Sequence, residues 1–287
     1  MMNRILCPVD FSECSLNALE FAAKIGAAHR ASLTLIHVFT EKEFGEALSS
    51  EKLPDQYKQS DIDNLVGYAE DLLQQLSREV LRIEKRHGLS DCNYHFAYGP
   101  LEQQITDYAR INQYSMIVMG TSGVKDIFEE YVGSNTVKTI EHASCPVLCV
   151  PTEATYQKPK KVMYATNYQE EDTEALARLG LFAEPFGAEL HVVHLCHRKS
   201  LSQKATHQAF QRKIREALPN TNLLFEEIEH EDDIAHGIDQ YAIEQNMDMV
   251  ALLHHRRNLL ERWLEGSTVK DISYFATYPL LVYREVI

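Results

Sequence analysis

No apolar run in this chain approaches the roughly 20 residues that a membrane-spanning helix needs. The first ten residues, MMNRILCPVD, reach Pro8 and Asp10 before any apolar stretch of signal-peptide length, so no secretory leader is expected. Positive charge is scarce as well. The formal net charge is −14, which argues against nonspecific binding to nucleic acid or to acidic membranes. The six cysteines (Cys7, Cys14, Cys92, Cys145, Cys149 and Cys196) contain no Cys-x-x-Cys pair, and most lie in or beside strand-like runs. A cysteine metal site is therefore not expected, and a reducing cytoplasm is the simplest compartment. Three catalytic signatures are missing: the G-x-S-x-G elbow, the H-E-x-x-H zinc motif and the Walker lysine. No catalytic residue is assigned.

What the chain does have is size, apolar content and pattern. At 287 residues with 45% apolar and 24% charged residues, it suits two globular domains of ordinary size. The most informative stretch is Met116–Val150. An apolar run (Met116–Met119) ends at Gly120, and Gly123 follows. Gly133, Ser134, Asn135 and Thr136 then open a helical pattern, and Cys145–Val150 is a second apolar strand. Strand, glycine loop, helix start and strand together suit an anion cradle. Glycines admit close backbone approach, and a helix N-terminus offers unpaired N–H groups. A capped helix after a plain loop explains the same residues, because Ser134 is also a good N-cap.

The spacing G-x2-G-x9-G-S at Gly120, Gly123, Gly133 and Ser134 resembles the ATP-binding signature of the universal stress protein family. Ile5–Asp10 with Phe11 and Ser12 looks like that family's first strand and adenine loop, and Leu33–Val38 like its second strand. The resemblance implies a doubly wound α/β domain with a five-stranded parallel sheet of order 3-2-1-4-5 and helices on both faces. It also implies an adenine nucleotide, ATP or AMP and ADP, together with Mg²⁺. Pro8, Val9, Asp10 and the backbone near Val38 would hold adenosine. Met119 and Gly120 would line the ribose, and Gly123, Gly133, Ser134, Asn135 and Thr136 would bind phosphates. Asp10 also reads as a plain helix N-terminal carboxylate.

The rest of the chain alternates strands and helices. Arg4–Val9 reads as strand, Leu16–His29 as helix, Leu33–Phe39 as strand and Thr40–Ser60 as polar loop. Ile62–His87 is a long amphipathic helix stopped by Gly88. Asn93–Tyr98 is a strand and Leu101–Gln113 a helix. After a polar linker at 151–159 the pattern repeats. Lys161–Leu176 aligns with Arg4–Leu19, and Asn167 falls 157 residues after Asp10. His194 matches His37 at the same offset, which suggests a structural repeat rather than a metal ligand. Farther on, Tyr241 matches Tyr108 and Gly266-Ser267 matches Gly133-Ser134 at an offset of 133, so the second half lacks 24 residues.

The expected organisation is a domain at 1–150, a linker at 151–159 and a second domain at 160–287, packed as an internal pseudo-dimer. A homodimer of whole chains stays open. The second half departs from the signature: Leu253 and Arg256 replace Gly120 and Gly123, and Asn167 replaces Asp10, while Gly266, Ser267 and Thr268 remain. The basic run His254–Arg257 reads as a solvated loop. One nucleotide, held by the first half, is therefore expected, with a role in stress response or regulation. Two alternatives remain at this level: a slow ATP hydrolase or nucleotidyl-transfer enzyme with a substrate pocket in the second half, and an interaction module with an empty site.

Overall fold

Ten short strands and seven helices can be placed in the computed structural model of the chain, which describes residues 2–39, 62–121, 134–196, 204–229, 234–254 and 278–284. The strands are β1 (Arg4–Pro8), β2 (Ser32–Phe39), β3 (Asp91–Tyr98), β4 (Met116–Thr121), β5 (Val147–Pro151), β6 (Lys161–Ala165), β7 (Glu189–Cys196), β8 (Leu223–Glu229), β9 (Met249–His254) and β10 (Leu280–Arg284). The helices are α1 (Glu13–His29), α2 (Ile62–Glu84), α3 (Leu101–Ile111), α4 (Ser134–His142), α5 (Asp172–Ala183), α6 (Lys204–Ala217) and α7 (Ile234–Glu244). The central strands β1, β2, β4, β6, β7 and β9 are almost wholly buried, as expected of parallel strands covered on both faces. Among the described residues, no helix is long and apolar enough to cross a membrane.

Two compact units emerge. The first holds the described residues up to Gly120 together with Ser134–Cys145. Its strands run parallel in the order β3-β2-β1-β4, with Ile5 opposite both Leu33 and Met116. Ser12 caps α1, its hydroxyl accepting the Ser15 N–H at 3.2 Å. α2 ends as the sequence leads one to expect. A 3₁₀ turn at Lys85–His87 closes on Gly88 at φ 118°, where a Cβ would stand 2.5 Å from the Ala27 carbonyl. Only glycine fits there.

The second unit holds Thr121 and the described residues from Pro146 onward. Its strand order is β5-β10-β9-β6-β7-β8, parallel except for β5. The family order 3-2-1-4-5 is thus complete in the second half, as β8-β7-β6-β9-β10. β5 comes from the first half of the sequence yet pairs antiparallel with β10, with Leu148 opposite Leu281. Residues 40–61, which include all of the polar loop expected at Thr40–Ser60, lie outside the described residues, as do 122–133.

The two halves repeat at the level of single hydrogen bonds. The Asn3 N–H donates to Ser115 Oγ, and its counterpart Lys160 N–H donates to Asp248 Oδ2. Arg4 Nη1 donates to the Asn112 carbonyl at 2.6 Å, and Lys161 Nζ to the Gln245 carbonyl at 3.1 Å. In both halves, therefore, strand one is tied to the turn before strand four.

The repeat fails at Asp239. Its counterpart Thr106 donates harmlessly to the Glu102 carbonyl, whereas Asp239 is buried and its Oδ2 has no hydrogen-bond partner among the described residues. Burial pushes the Asp239 carboxyl up to about 7. A raised carboxyl pKa favours the folded chain below the unfolded value, and that advantage is lost as pH rises to the folded value. Asp239→Asn should therefore gain stability over the wild type progressively from pH 4 to pH 7. Urea midpoints of both chains across that range test it, and a pH-independent difference would refute it.

The β5–β10 pairing makes a second prediction. Three residues of β5, Val147, Leu148 and Cys149, pair with Val282, Leu281 and Leu280 of β10, far along the chain. A chain cleaved at a protease site placed after Thr155 should elute from gel filtration as one species, and separated fragments would count against the pairing.

Candidate functional site

The sequence places Pro8, Val9 and Asp10 where β1 gives way to α1. The β1–β2 ladder reaches Pro8 opposite Ile36, and the Val9 N–H still donates to the Ile36 carbonyl at 2.8 Å. The chain then turns. Phe11 takes a left-handed conformation at φ 62°, unusual for a bulky residue. Asp10 Oδ1 accepts from the Ser12 N–H at 3.0 Å and from Ser12 Oγ at 2.5 Å, while the Asp10 N–H donates to Ser15 Oγ at 3.3 Å. Asp10 is exposed. Loss of some of its water to the neighbouring protein raises its carboxyl pKa. The hydrogen bonds from Ser12 and Ser15 together outweigh that and hold it below the ordinary carboxylate range. The result is an ionised acceptor, accessible at the carboxyl end of strand one.

Val38, Met119 and Gly120 stand at the same end of neighbouring strands. Val38 is buried on β2, and Met119 is buried on β4 beside Gly120. The fold thus collects Pro8–Asp10, Val38 and Met119–Gly120 along three adjacent parallel strands. Open α/β sheets place ligands at this edge, where the strand order reverses. Asn135 and Thr136 lie in the first turn of α4, which starts at Ser134; Asn135 is exposed and Thr136 is 3% exposed. Gly123 and Gly133 lie outside the described residues, as do Gly266, Ser267, Thr268 and Arg256.

Gly120 has a reason of its own. A Cβ at this position would sit 2.5 Å from Cys14 Sγ and 2.7 Å from the Cys14 carbonyl oxygen. The glycine lets the end of β4 lie against the first turn of α1. Cys14 carries no sequence signal for this role, since its partner is more than a hundred positions away. The second half supplies the contrast. Leu253, the counterpart of Gly120, has a full side chain, and α5 begins at Asp172, two residues beyond the counterpart of Glu13. The helix starts later where the strand carries bulk.

The loop after β6 is wired differently. Asp172 is 2% exposed and occupies the position of Ser15. It accepts from Tyr164 Oη and Thr166 Oγ1, both at 2.7 Å, and from the N–H groups of Asn167 and Gln169. Its charge is turned inward and satisfied. Tyr168, the counterpart of Phe11, is also left-handed at φ 58° but only 7% exposed. Its ring lies 4.1 Å from that of His207, 4.7 Å from His194 and 5.2 Å from Phe210. His207 is tied to Glu227 of β8 at 2.6 Å, so α6 is pinned over this loop. Burial pushes the Tyr168 hydroxyl up to about 12.

Two consecutive halves of doubly wound α/β type, each with a left-handed turn after its first strand, define the class as a tandem open-sheet protein. The profile of the Universal stress protein family matches residues 1–151 and again 158–284, and the chain belongs to that family. The universal stress protein YxiE of Bacillus subtilis (strain 168) is 24% identical over 164 residues, covering 52% of this chain and 99% of that protein. Universal stress protein MT2052 of Mycobacterium tuberculosis is 24% identical over 198 residues. That match covers 66% of this chain but 62% of the relative, less than two thirds of its length. A universal stress protein structure from Archaeoglobus fulgidus matches 100% of both chains with a TM-score of 0.73 at 18% identity. A functionally unknown protein from Pseudomonas aeruginosa, PA1789, matches with a TM-score of 0.62 at 17% identity, covering 99% of this chain and 93% of that one. At these identities the structural matches speak for the fold.

The Gly120 packing makes a prediction independent of any ligand. Gly120→Ala should lower stability by about 1–3 kcal/mol, the usual cost of forcing extra volume into a packed site. Chemical denaturation measures this, and a variant as stable as the wild type would remove the packing role.

Proposed function

We infer that the first half of the chain, residues 1–150, binds one adenine nucleotide (ATP, or AMP and ADP) and that residues 160–287 form a partner domain without a nucleotide. The observation that carries this reading is the contrast between the two loops after strand one. Asp10 is exposed, ionised and held from behind by serines. Its counterpart Asn167 has no carboxylate, and the nearby Asp172 is consumed by internal donors. A carboxylate accepts only, so Asp10 suits the donor groups of adenosine. Val38 and Met119, buried near the ends of the neighbouring strands β2 and β4, would supply apolar walls. The start of α4 at Ser134, Asn135 and Thr136, with Gly123 and Gly133, would meet the phosphates through backbone N–H groups and the helix dipole.

Mg²⁺ belongs to this reading only as a companion of the phosphates. Among the described residues no group of three His, Cys, Asp or Glu side chains could hold a metal ion. Mg²⁺ commonly keeps several waters and takes the rest of its ligands from substrate phosphates. Nucleotide occupancy would then serve regulation in a stress response, in a reducing compartment that suits six cysteines outside any disulfide. The β5–β10 pairing supports an internal pseudo-dimer.

Calorimetric titration with ATP tests the reading. One site per chain is expected. Asp10→Ala should weaken binding by about tenfold, or about 1.4 kcal/mol, and Asn167→Ala should leave it unchanged. Two equivalent sites, or no ATP binding at all, would refute it. Phosphate release measured in the same samples separates a binding role from slow hydrolysis.

A further inference from the structure

We propose that His37 is the positioning residue of the nucleotide loop: its Nδ1–H holds the Val9 carbonyl and so sets the place of Asp10. The inference rests on the reading that the first half binds a nucleotide. His37 Nδ1 lies 2.6 Å from the Val9 carbonyl oxygen. A carbonyl oxygen can only accept, so Nδ1 carries the hydrogen, and a neutral His37 is the Nδ1–H tautomer.

The bond sits at the last fixed point of strand one. The ladder with β2 ends at Pro8, and one residue later the carbonyl of Val9 turns to a side chain instead of a strand. Asp10 follows at once, then Phe11 in its left-handed conformation, then Ser12 as helix cap. The strained residue is therefore bracketed by two anchored groups, the Val9 carbonyl and the Ser12 cap. The imidazole cannot easily swing away. His37 is 6% exposed, with the Phe39 ring at 4.6 Å, Phe11 at 5.2 Å and Phe96 at 6.2 Å.

The second half repeats the device on different residues. His194 Nδ1 lies 2.8 Å from the Thr166 carbonyl, and Tyr168 two positions later is left-handed. Val9, Asp10 and Phe11 have become Thr166, Asn167 and Tyr168, yet the histidine clamp and the backbone shape are kept. The clamp thus shapes the turn, and what stands on the turn decides whether a ligand is met. In the first half that group is the exposed Asp10.

The test is ATP titration of the full chain with four substitutions, joined to nitrogen-15 NMR of the histidine rings in the wild type. Asparagine places an amide nitrogen at the position of Nδ1, whereas glutamine places it one bond farther out. His37→Leu and His37→Gln should each weaken ATP by about tenfold or more, and His37→Asn should stay within about threefold of the wild type. His194→Leu should leave ATP affinity unchanged. The His37 ring should show a protonated Nδ1 and a bare Nε2 in its neutral form. Full affinity in His37→Leu or His37→Gln, equal losses in the Asn and Leu variants, or an Nε2–H tautomer would each overturn the inference. If His37→Leu does not fold, the Gln and Asn pair and the tautomer decide it. A wild type that binds no ATP overturns the nucleotide reading instead, and the ring tautomer in that sample still shows whether the clamp exists.

Discussion

A parallel strand must hand its chain to a crossover helix, and the backbone polar groups at that handover have no strand left to pair with. In this protein the handover after strand one is solved by a histidine on strand two that holds the last carbonyl, His37 on Val9 and His194 on Thr166. In both halves a left-handed residue follows two positions after that carbonyl, Phe11 and Tyr168, and the residue between carries the side chain that differs, Asp10 or Asn167. The candidate site is in this sense a by-product of satisfying one carbonyl. The loop is shaped by folding requirements before any ligand is considered, so it can present a functional group at little further cost in order.

The same economy lets the two halves share a fold while the loops after their first strands differ. In the second half the buried Asp172 takes four donors from Tyr164, Thr166, Asn167 and Gln169. Tyr168 lies beside the histidine clamp, its ring 4.7 Å from His194 and tilted against that of His207 at 4.1 Å. Polar groups that could face a ligand in the first half face each other in the second. A carboxylate buried with several hydrogen bonds is tolerated, while burial with an oxygen left unpaired is costly, and Asp239 on α7, whose Oδ2 has no partner among the described residues, shows the second case within the same unit. The swap of an exposed carboxylate for an internal one changes what the loop can meet and leaves its backbone nearly as it was.

The tandem arrangement has a matching physical logic. A fifth strand at a sheet edge exposes unpaired backbone groups, and edges of this kind invite pairing with another chain. Here β5 and β10 pair antiparallel, with Leu148 opposite Leu281. Joining the two halves covalently raises the effective concentration of one last strand for the other.

Much of this was legible in the sequence, because parallel strands and amphipathic helices write periodic patterns. The alternation of elements, the stop at Gly88, the repeat at an offset of 157 and the family itself all follow from local spacing. Asp10 and the glycine series could also be named, since a signature is a matter of residue types at fixed distances. Contacts between distant positions could not. That Gly120 is a packing glycine under Cys14, that Asp172 is buried and fourfold bonded, and that the Tyr168 ring is shut in by His207 depend on which side chains three-dimensional neighbours bring within a few ångströms. The sequence by itself determined the order of elements and the chemistry available at each position. Tertiary structure alone decided which of those groups meet each other and which are left facing outward, because burial and hydrogen bonding are properties of neighbours, and neighbours in a parallel sheet are set by topology rather than by adjacency along the chain.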